Sequence, residues 1–503
     1  MTEVLAPPTD RVGPIAPLRI TRYASASAQP RTSGRDRSAT PAVNVRGCWT
    51  SASPDEVNDD YGGDQTVTLL TAASNGATAL RTVSGRRLRD LVQDRTRDGD
   101  LAHEVEVVSQ VLPFKVSSYV VDELIDWDRA PDDAMYRLVF PHRDMLDPAD
   151  FAVIERGLRS GDKAELHAAV NVVRDKLNPH PSDQIALNVP HEEGNSGWGL
   201  QHKYRETLLV FPRQGQTCHS YCGYCFRWAQ FVGRSDLQLA VSGPEVMTNH
   251  LNLHPEVTDV LFTGGDPLVM RTALIRQYVE PLLQPEREHV QTVRIGTKAL
   301  SYWPNRILAG DDADDLIRLL EQMIAAGKHV ALMLHLSHPA ELATASAHRA
   351  LSRLAATGAV LRAQAPVVRH VNDDPAIWAE LWQHEVRMGV VPYYMFVERD
   401  TGARRYFGLP LERALEIYLG AVRTVSGLGR TARGPVMSAS PGKVAVDGVT
   451  QLDRGPAFAL RFLQARDPSL VGRPFHAVFD PLAEWWDELR PYGEHDREFF
   501  PGR

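Results

Sequence analysis

The run Thr217-Cys-His-Ser-Tyr-Cys-Gly-Tyr-Cys-Phe-Arg227 sets Cys218, Cys222 and Cys225 in the spacing C-x3-C-x2-C. Three thiolates on one short loop can hold three corners of a [4Fe–4S] cube, a cluster that usually takes four cysteines. No fourth cysteine lies nearby in the chain, so one iron stays open. An open, electron-rich iron can bind the amino and carboxylate groups of S-adenosylmethionine and cleave it reductively to a carbon radical. A structural zinc needs a fourth ligand, and His219, adjacent to Cys218, is badly placed to complete a tetrahedron.

Around this loop, short apolar runs recur at Thr207–Phe211, Val257–Thr263, Thr292–Gly296, His329–Leu336, Ala359–Val368 and Val390–Val397. Helical patterns fall between them, as at Asp312–Ala326, Ala340–Thr357 and Pro375–Met388. Strands alternating with helices imply parallel βαβ units. Six such units predict an α/β fold, a partial (β/α)6 barrel over 201–410, with chemistry where strands end and loops begin. The cysteine loop follows the first strand, as that rule requires.

Residues 1–65 are rich in Pro, Ser, Thr, Ala and Arg and read as a low-complexity arm. Residues 66–200 read as a mainly helical extension with a possible strand at Thr66–Thr71. Asp147-Pro148 predicts an N-cap followed by Pro at the first helical position, with Gly161 closing the helix. Asp162 then caps a second helix through Leu177, and 181–200 is a polar connector. Residues 411–503 hold a helix to about Val425, the loop Ser438-Ala-Ser-Pro-Gly-Lys443, and an aromatic tail (Trp485, Trp486, Phe499, Phe500) expected to serve as a lid or an oligomer contact.

The 503 residues carry 55 Lys and Arg against 63 Asp and Glu, a net charge of −8 that argues against general nucleic-acid binding. Three of the four cysteines are in one motif, so there is no disulfide framework, and Cys48 reads as an incidental thiol. No apolar run is long enough to span a bilayer, and no signal pattern opens the chain. A cytoplasmic protein is expected.

Other polar groups gather at predicted strand ends. Leu261-Phe-Thr-Gly-Gly-Asp-Pro-Leu268 ends the second strand. Its paired Gly264 and Gly265 allow close backbone approach, and Asp266 could accept hydrogen bonds from an ammonium group. Thr297 ends the third strand, His335 the fourth, and Gln364 lies in the fifth. Each alone reads equally well as a satisfied rim residue, and their recurrence favours one shared ligand site. Arg227, beside the cluster loop, suits a substrate carboxylate. Lys443 next to Gly442 could form a Schiff base with pyridoxal phosphate or stand simply exposed.

From about His202 to Lys443 the chain resembles the lysine 2,3-aminomutase family of radical S-adenosylmethionine enzymes. The resemblance is carried by Gly199–Val210, Tyr221–Arg227, Phe262–Leu268, Arg294–Thr297 with Pro304–Ile307, His335–Pro339, Gln364 with Arg369–Asp373, and Pro392–Tyr394, in the family's order. It implies a [4Fe–4S] cluster on Cys218, Cys222 and Cys225. It also implies S-adenosylmethionine beside Gly264, Gly265, Asp266, Thr297, His335 and Gln364, and pyridoxal 5′-phosphate on Lys443. The implied reaction turns an α-amino acid into a β-amino acid. A 5′-deoxyadenosyl radical takes a β-hydrogen, and the amino group migrates while held as an aldimine. A flavodoxin or ferredoxin donor and a homo-oligomer are also implied.

The chain departs from the family pattern in three places. The glycine run before Lys443 is shortened to Pro441-Gly442. The two aspartates that hold the distal ammonium in lysine-specific members fall on Arg399 and Ala439, so free lysine is not the expected substrate. Arg399 suits a distal carboxylate, as in aspartate or glutamate, although Glu398 and Asp400 flank it and a one-residue slip restores an acid there. Little of the first two hundred residues matches. The alternative readings are a radical enzyme without pyridoxal phosphate, such as an epimerase or elimination enzyme, and a modifier of a lysine on a partner protein.

Overall fold

The computed structural model describes residues 80–179, 183–192 and 195–500. The arm at 1–65, Cys48 and the possible strand Thr66–Thr71 lie outside the described residues. The main sheet has eleven strands in unbroken chain order. These are β1 (Leu200–Tyr204), β2 (Thr207–Val210), β3 (Asp259–Phe262), β4 (Thr292–Thr297), β5 (His329–His335), β6 (Val360–Val367), β7 (Val391–Val397), β8 (Arg433–Ser438), β9 (Gly442–Leu452), β10 (Gly455–Ala465) and β11 (Pro474–Val478).

Strands β2 through β8 are all parallel, and β1 and β9–β11 add antiparallel margins. The six predicted strands match β2–β7 to within two residues at each end. The seventh parallel strand, β8, was not anticipated. Its Arg-Gly-Pro start has no strand alternation, and pairing to β7 makes it a strand. The β9–β10 hairpin was not anticipated either, although Val444–Val446 and, but for Arg461, Phe458–Leu463 are apolar runs.

Helices fill the crossovers: α1 (Pro244–Leu253) after β2, α2 (Thr272–Val279) after β3, α3 (Asp311–Ala325) after β4, α4 (Ala345–Ala356) after β5, α5 (Pro375–Arg387) after β6 and α6 (Leu411–Thr424) after β7. Their apolar faces and the strands form one core that includes Val260, Ile295, Leu332, Leu361 and Trp382. Strand order never reverses, so there is no switch point of the doubly wound kind. The sheet curls instead: Lys443 on β9 lies 5.7 Å from the ring of Tyr204 on β1, and Lys203 donates to the carbonyl of Ala439.

The helical extension is as predicted at Pro148–Ser160 and Lys163–Leu177. Asp147 accepts from the Ala149 N–H at 3.2 Å, and Gly161 ends the first helix at φ 74°. Asp162 accepts from Ala164 and Glu165. This extension shares a buried cluster with Tyr224, Trp228, Tyr302 and Phe407, so it covers the loop end of the sheet. The tail packs within the chain. Trp485, Trp486, Phe499 and Phe500 are at most 3% exposed and stack into the core of β9–β11, with Trp486 4.5 Å from Phe500. Residues so buried cannot serve as an oligomer contact.

Candidate active site

The cysteine loop is built from tight turns: Cys225 N–H donates to the Cys222 carbonyl at 3.1 Å and Trp228 N–H to that of Cys225 at 3.0 Å. The extension clamps it from outside. Tyr221 N–H donates to Lys115 O, Gly223 N–H to Leu138 O, and Ser117 N–H to Ser220 Oγ. Lys115 Nζ bonds Thr217 Oγ1 at 2.6 Å and lies 4.7 Å from the Tyr221 ring.

Burial pushes all three thiols up, Cys225 to about 12, and repulsion from the neighbouring thiols adds to it at Cys218 and Cys225. Three thiols crowded in a dry site are poor anions by themselves and become good ones around a strong positive charge. Tyr302 Oη, 2.9 Å from Cys222 Sγ, supplies a phenol donor. Nothing in the sequence singled out Tyr302, which lies 80 residues downstream.

The Gly264-Gly265-Asp266 turn is locked against the cysteine loop. Asp266 N–H donates to Thr217 O at 2.7 Å. A Cβ on Gly265 would fall 2.2 Å from that same carbonyl oxygen, and one on Gly264 would meet Gln216. The glycines thus permit close loop-to-loop contact. Asp266 accepts from Thr297 Oγ1 at 2.8 Å, Lys298 N–H at 2.8 Å and Leu268 N–H at 2.9 Å. Burial pushes this carboxyl up, but His219, whose Nδ1 is 3.8 Å away, and the backbone donors outweigh it and hold it below the usual range. These bonds tie the end of β3 to the end of β4 through the Asp266 and Thr297 side chains.

His335 is half-buried, and desolvation with the nearby Lys298 charge drives it down to about 3, so the ring is neutral. Tyr224 Oη bonds its Nδ1 at 3.1 Å and Ser337 Oγ at 2.7 Å. Lys298 pairs with buried Glu341 and donates to the His335 carbonyl. Gln364 on β6 is in register with His335 and half-buried.

Arg227 is buried between the rings of Phe211 (4.3 Å) and Phe226 (4.9 Å). Burial lowers it to about 10, although Cys225 opposes this. Its Nη1 makes no hydrogen bond. A buried guanidinium N–H without an acceptor is costly, and an anion would satisfy it. Arg399, past the end of β7, lies 5.4 Å from Phe226 and 5.6 Å from Trp485. It lines a cleft with Lys203, Ala439, Arg466, Asp400 and Asp487.

Lys443 is set apart from the cysteine loop, and its amine lies 4.8 Å from the Tyr394 ring and 2.9 Å from Gln464 Oε1. It is not an exposed loop lysine. Burial, with the charges of Arg294 and Arg433 adding to it, brings it down to about 7. A half-neutral amine among cations and tyrosines fits an aldehyde that carries a phosphate.

No protein-family model matches the chain. A protein of Aquifex aeolicus, provisionally assigned as an L-lysine 2,3-aminomutase, is 31% identical over 386 residues, 76% of this chain and 90% of its own. The chain belongs to the lysine 2,3-aminomutase family. It is an enzyme of the radical S-adenosylmethionine aminomutases. A match of 386 residues cannot fit within 201–503, so family likeness reaches into the helical extension, beyond the His202–Lys443 stretch. The L-lysine 2,3-aminomutase of Clostridium subterminale is 30% identical over 47% of this chain, and the glutamate 2,3-aminomutase of Clostridioides difficile 27% over 45%. The chain spans about half the length of these two, 54% and 50%. A solved radical SAM methyltransferase from Sphaerobacter thermophilus aligns over 53% of this chain and 83% of its own, at 15% identity and TM-score 0.34, too distant to bear on function. Among the described residues of this family member, no helix is long and apolar enough to cross a membrane.

Proposed function

We propose that the enzyme is an amino-acid 2,3-aminomutase that uses pyridoxal phosphate and acts on an α-amino acid other than lysine, with aspartate and glutamate favoured. The observation that carries this reading is a pair of cations, buried Arg227 with an unsatisfied N–H and half-buried Arg399 lining the cleft, where a lysine-handling site needs acids. When bound, a [4Fe–4S] cluster with S-adenosylmethionine supplies a carbon radical, and pyridoxal phosphate supplies a carrier for the migrating amino group.

The chain's own contribution is positional. Cys218, Cys222 and Cys225 hold the cluster, and the curled sheet, read as a partial barrel, walls off water. Gly264, Gly265, Asp266 and Thr297 shape the side of the cluster where S-adenosylmethionine would lie, with His335 and Gln364 opposite. Arg227 would grip a carboxylate in a two-pronged hydrogen bond. Arg399, with Lys203 and Arg466 in the same cleft, would face a second one. A distal ammonium there would meet three cations, Arg399, Lys203 and Arg466, against two carboxylates, Asp400 and Asp487, a balance that favours an anionic group. Lys443, half-neutral near pH 7, would hold the cofactor. A flavodoxin or ferredoxin would deliver the electron, and a homo-oligomer is the family expectation.

Anaerobic reconstitution with iron, sulfide and pyridoxal phosphate, followed by reductant, S-adenosylmethionine and single amino acids, tests this. A β-isomer of aspartate or glutamate, detected by mass spectrometry, is the expected product. β-Lysine as the main product would overturn the substrate assignment. Deoxyadenosine without any β-amino acid would point to the pyridoxal-free or protein-modifying alternatives.

A further inference from the structure

On the margin of the sheet, away from the functions assigned above, three histidines converge. His202 lies on β1, His250 in the last turn of α1, and His254 just past its end. Each offers a ring nitrogen, and the three nitrogens lie within 4.8 Å of one another. His250 Nε2 and His202 Nδ1 are 3.0 Å apart, and the rings of His250 and His254 are 4.2 Å apart and nearly parallel. His250 is fully buried, whereas His202 and His254 are half-buried and open to ions.

The outer nitrogens set the tautomers. His202 Nε2 is 3.1 Å from the Arg205 carbonyl, which can only accept, so the proton sits on Nε2 and Nδ1 presents a lone pair. His254 Nδ1 is 2.8 Å from the Glu256 carboxylate, so its proton sits on Nδ1 and its lone pair on Nε2. A carbonyl and a carboxylate behind the rings are the partners that metal-bound histidines ordinarily have. Inward lone pairs repel unless a proton or a cation lies between them. The end of α1 adds negative potential at His254. In a tetrahedral site the nitrogens would be about 3.3 Å apart. The His202–His250 separation is already near this, and the two half-buried rings can turn to complete it.

We propose that His202, His250 and His254 form a site for a late divalent transition metal, Zn2+ foremost, with water as the fourth ligand. Three imidazoles without thiolate or carboxylate ligands suit zinc, and cobalt can report on the same geometry. The ion would staple β1 to α1. That strand also carries Lys203 and Tyr204, which face Ala439 and Lys443 across the curl of the sheet. The staple would therefore stiffen one wall of the proposed substrate cleft without touching substrate.

The test uses the full chain with Cys218, Cys222 and Cys225 replaced by Ala, so that the cluster ligands cannot compete. Anaerobic titration with Co2+ should give one equivalent with visible ligand-field bands and no sulfur charge-transfer band. Zn2+ should displace it and raise the melting temperature. His202→Gln and His254→Gln, at half-buried positions where the fold tolerates an amide, should each weaken binding at least about tenfold while leaving the metal-free far-ultraviolet spectrum unchanged. Glu256→Gln should weaken it about 10- to 100-fold, because it frees the His254 tautomer. Unaltered Co2+ affinity in the two histidine variants, or no saturable uptake by the parent, would overturn the proposal.

Discussion

Tyr302 Oη stands 2.9 Å from Cys222 Sγ, so a phenol from the short helix that follows β4 donates to one of the three sulfurs of the cysteine loop. Burial raises the Tyr302 phenol well above its ordinary value, so it stays protonated and remains a donor. Hydrogen bonds to cluster sulfurs stabilise the reduced, more negative state and raise its potential. Tyr302→Phe should lower the midpoint potential by a few tens of mV, roughly what one hydrogen bond of about 1 kcal/mol supplies. An electron-paramagnetic-resonance redox titration reads this directly. An unchanged potential would mean that the contact does not survive cluster binding.

Lys443 titrates near pH 7, so its neutral, nucleophilic fraction grows through neutrality and levels off about one to two units higher. Uptake of pyridoxal phosphate, followed by its absorbance and by borohydride trapping, should rise with pH over that window. Lys443→Ala should abolish trapping and lower the turnover at least about a thousandfold. Uptake that climbs only toward pH 10 would show that the amine is solvated rather than depressed.

Gly265 has no room for a methyl group, because a Cβ would collide with the Thr217 backbone on three atoms within 2.5 Å. Backbone cannot swing aside as a side chain can. Gly265→Ala should push the cysteine loop outward, costing roughly 1–3 kcal/mol of stability and lowering reconstituted iron per chain. Gly427→Ala, where a Cβ meets nothing within 4 Å, is the matched control and should keep its iron.

Asp266 binds three donors as a carboxylate and is held below 3.8, its ordinary value. A depressed acid stabilises the fold fully above its unfolded value and loses that contribution as pH falls through the lower folded one. Acid unfolding should therefore draw on Asp266 only below about pH 4. Asp266→Asn should lower stability at neutral pH by about 2 kcal/mol and flatten the acid limb of urea midpoint against pH. A full-sized acid limb in the variant would assign that stability to other carboxylates.

Much of this was legible in the chain. The apolar runs at 207–397 alternate with helical patterns at a rhythm that only parallel crossovers satisfy. The caps at Asp147 and Asp162 read correctly because capping is local chemistry. Strand β8 and the β9–β10 hairpin did not read, because their pairing depends on neighbours that are distant in sequence. Lys443 looked like an exposed loop lysine or a cofactor ligand. Burial beside Tyr394, Arg294 and Arg433 supports the latter. Of the two roles open to the tail aromatics, lid or oligomer contact, burial within the chain disfavours the second, because composition cannot tell which face a Trp presents.

Cysteine spacing and strand order are properties of the chain itself, since they depend on residue identity and short-range order. The clamp from Lys115, Ser117 and Leu138, the phenol of Tyr302 on Cys222 and the spending of Asp266 on Thr297 and Lys298 were settled only by tertiary structure. The same holds for the meeting of His202 with His250 and His254. Each joins segments tens to a hundred or more residues apart, and no local pattern encodes which buried donor will find which acceptor until the sheet has curled and the core has closed around it.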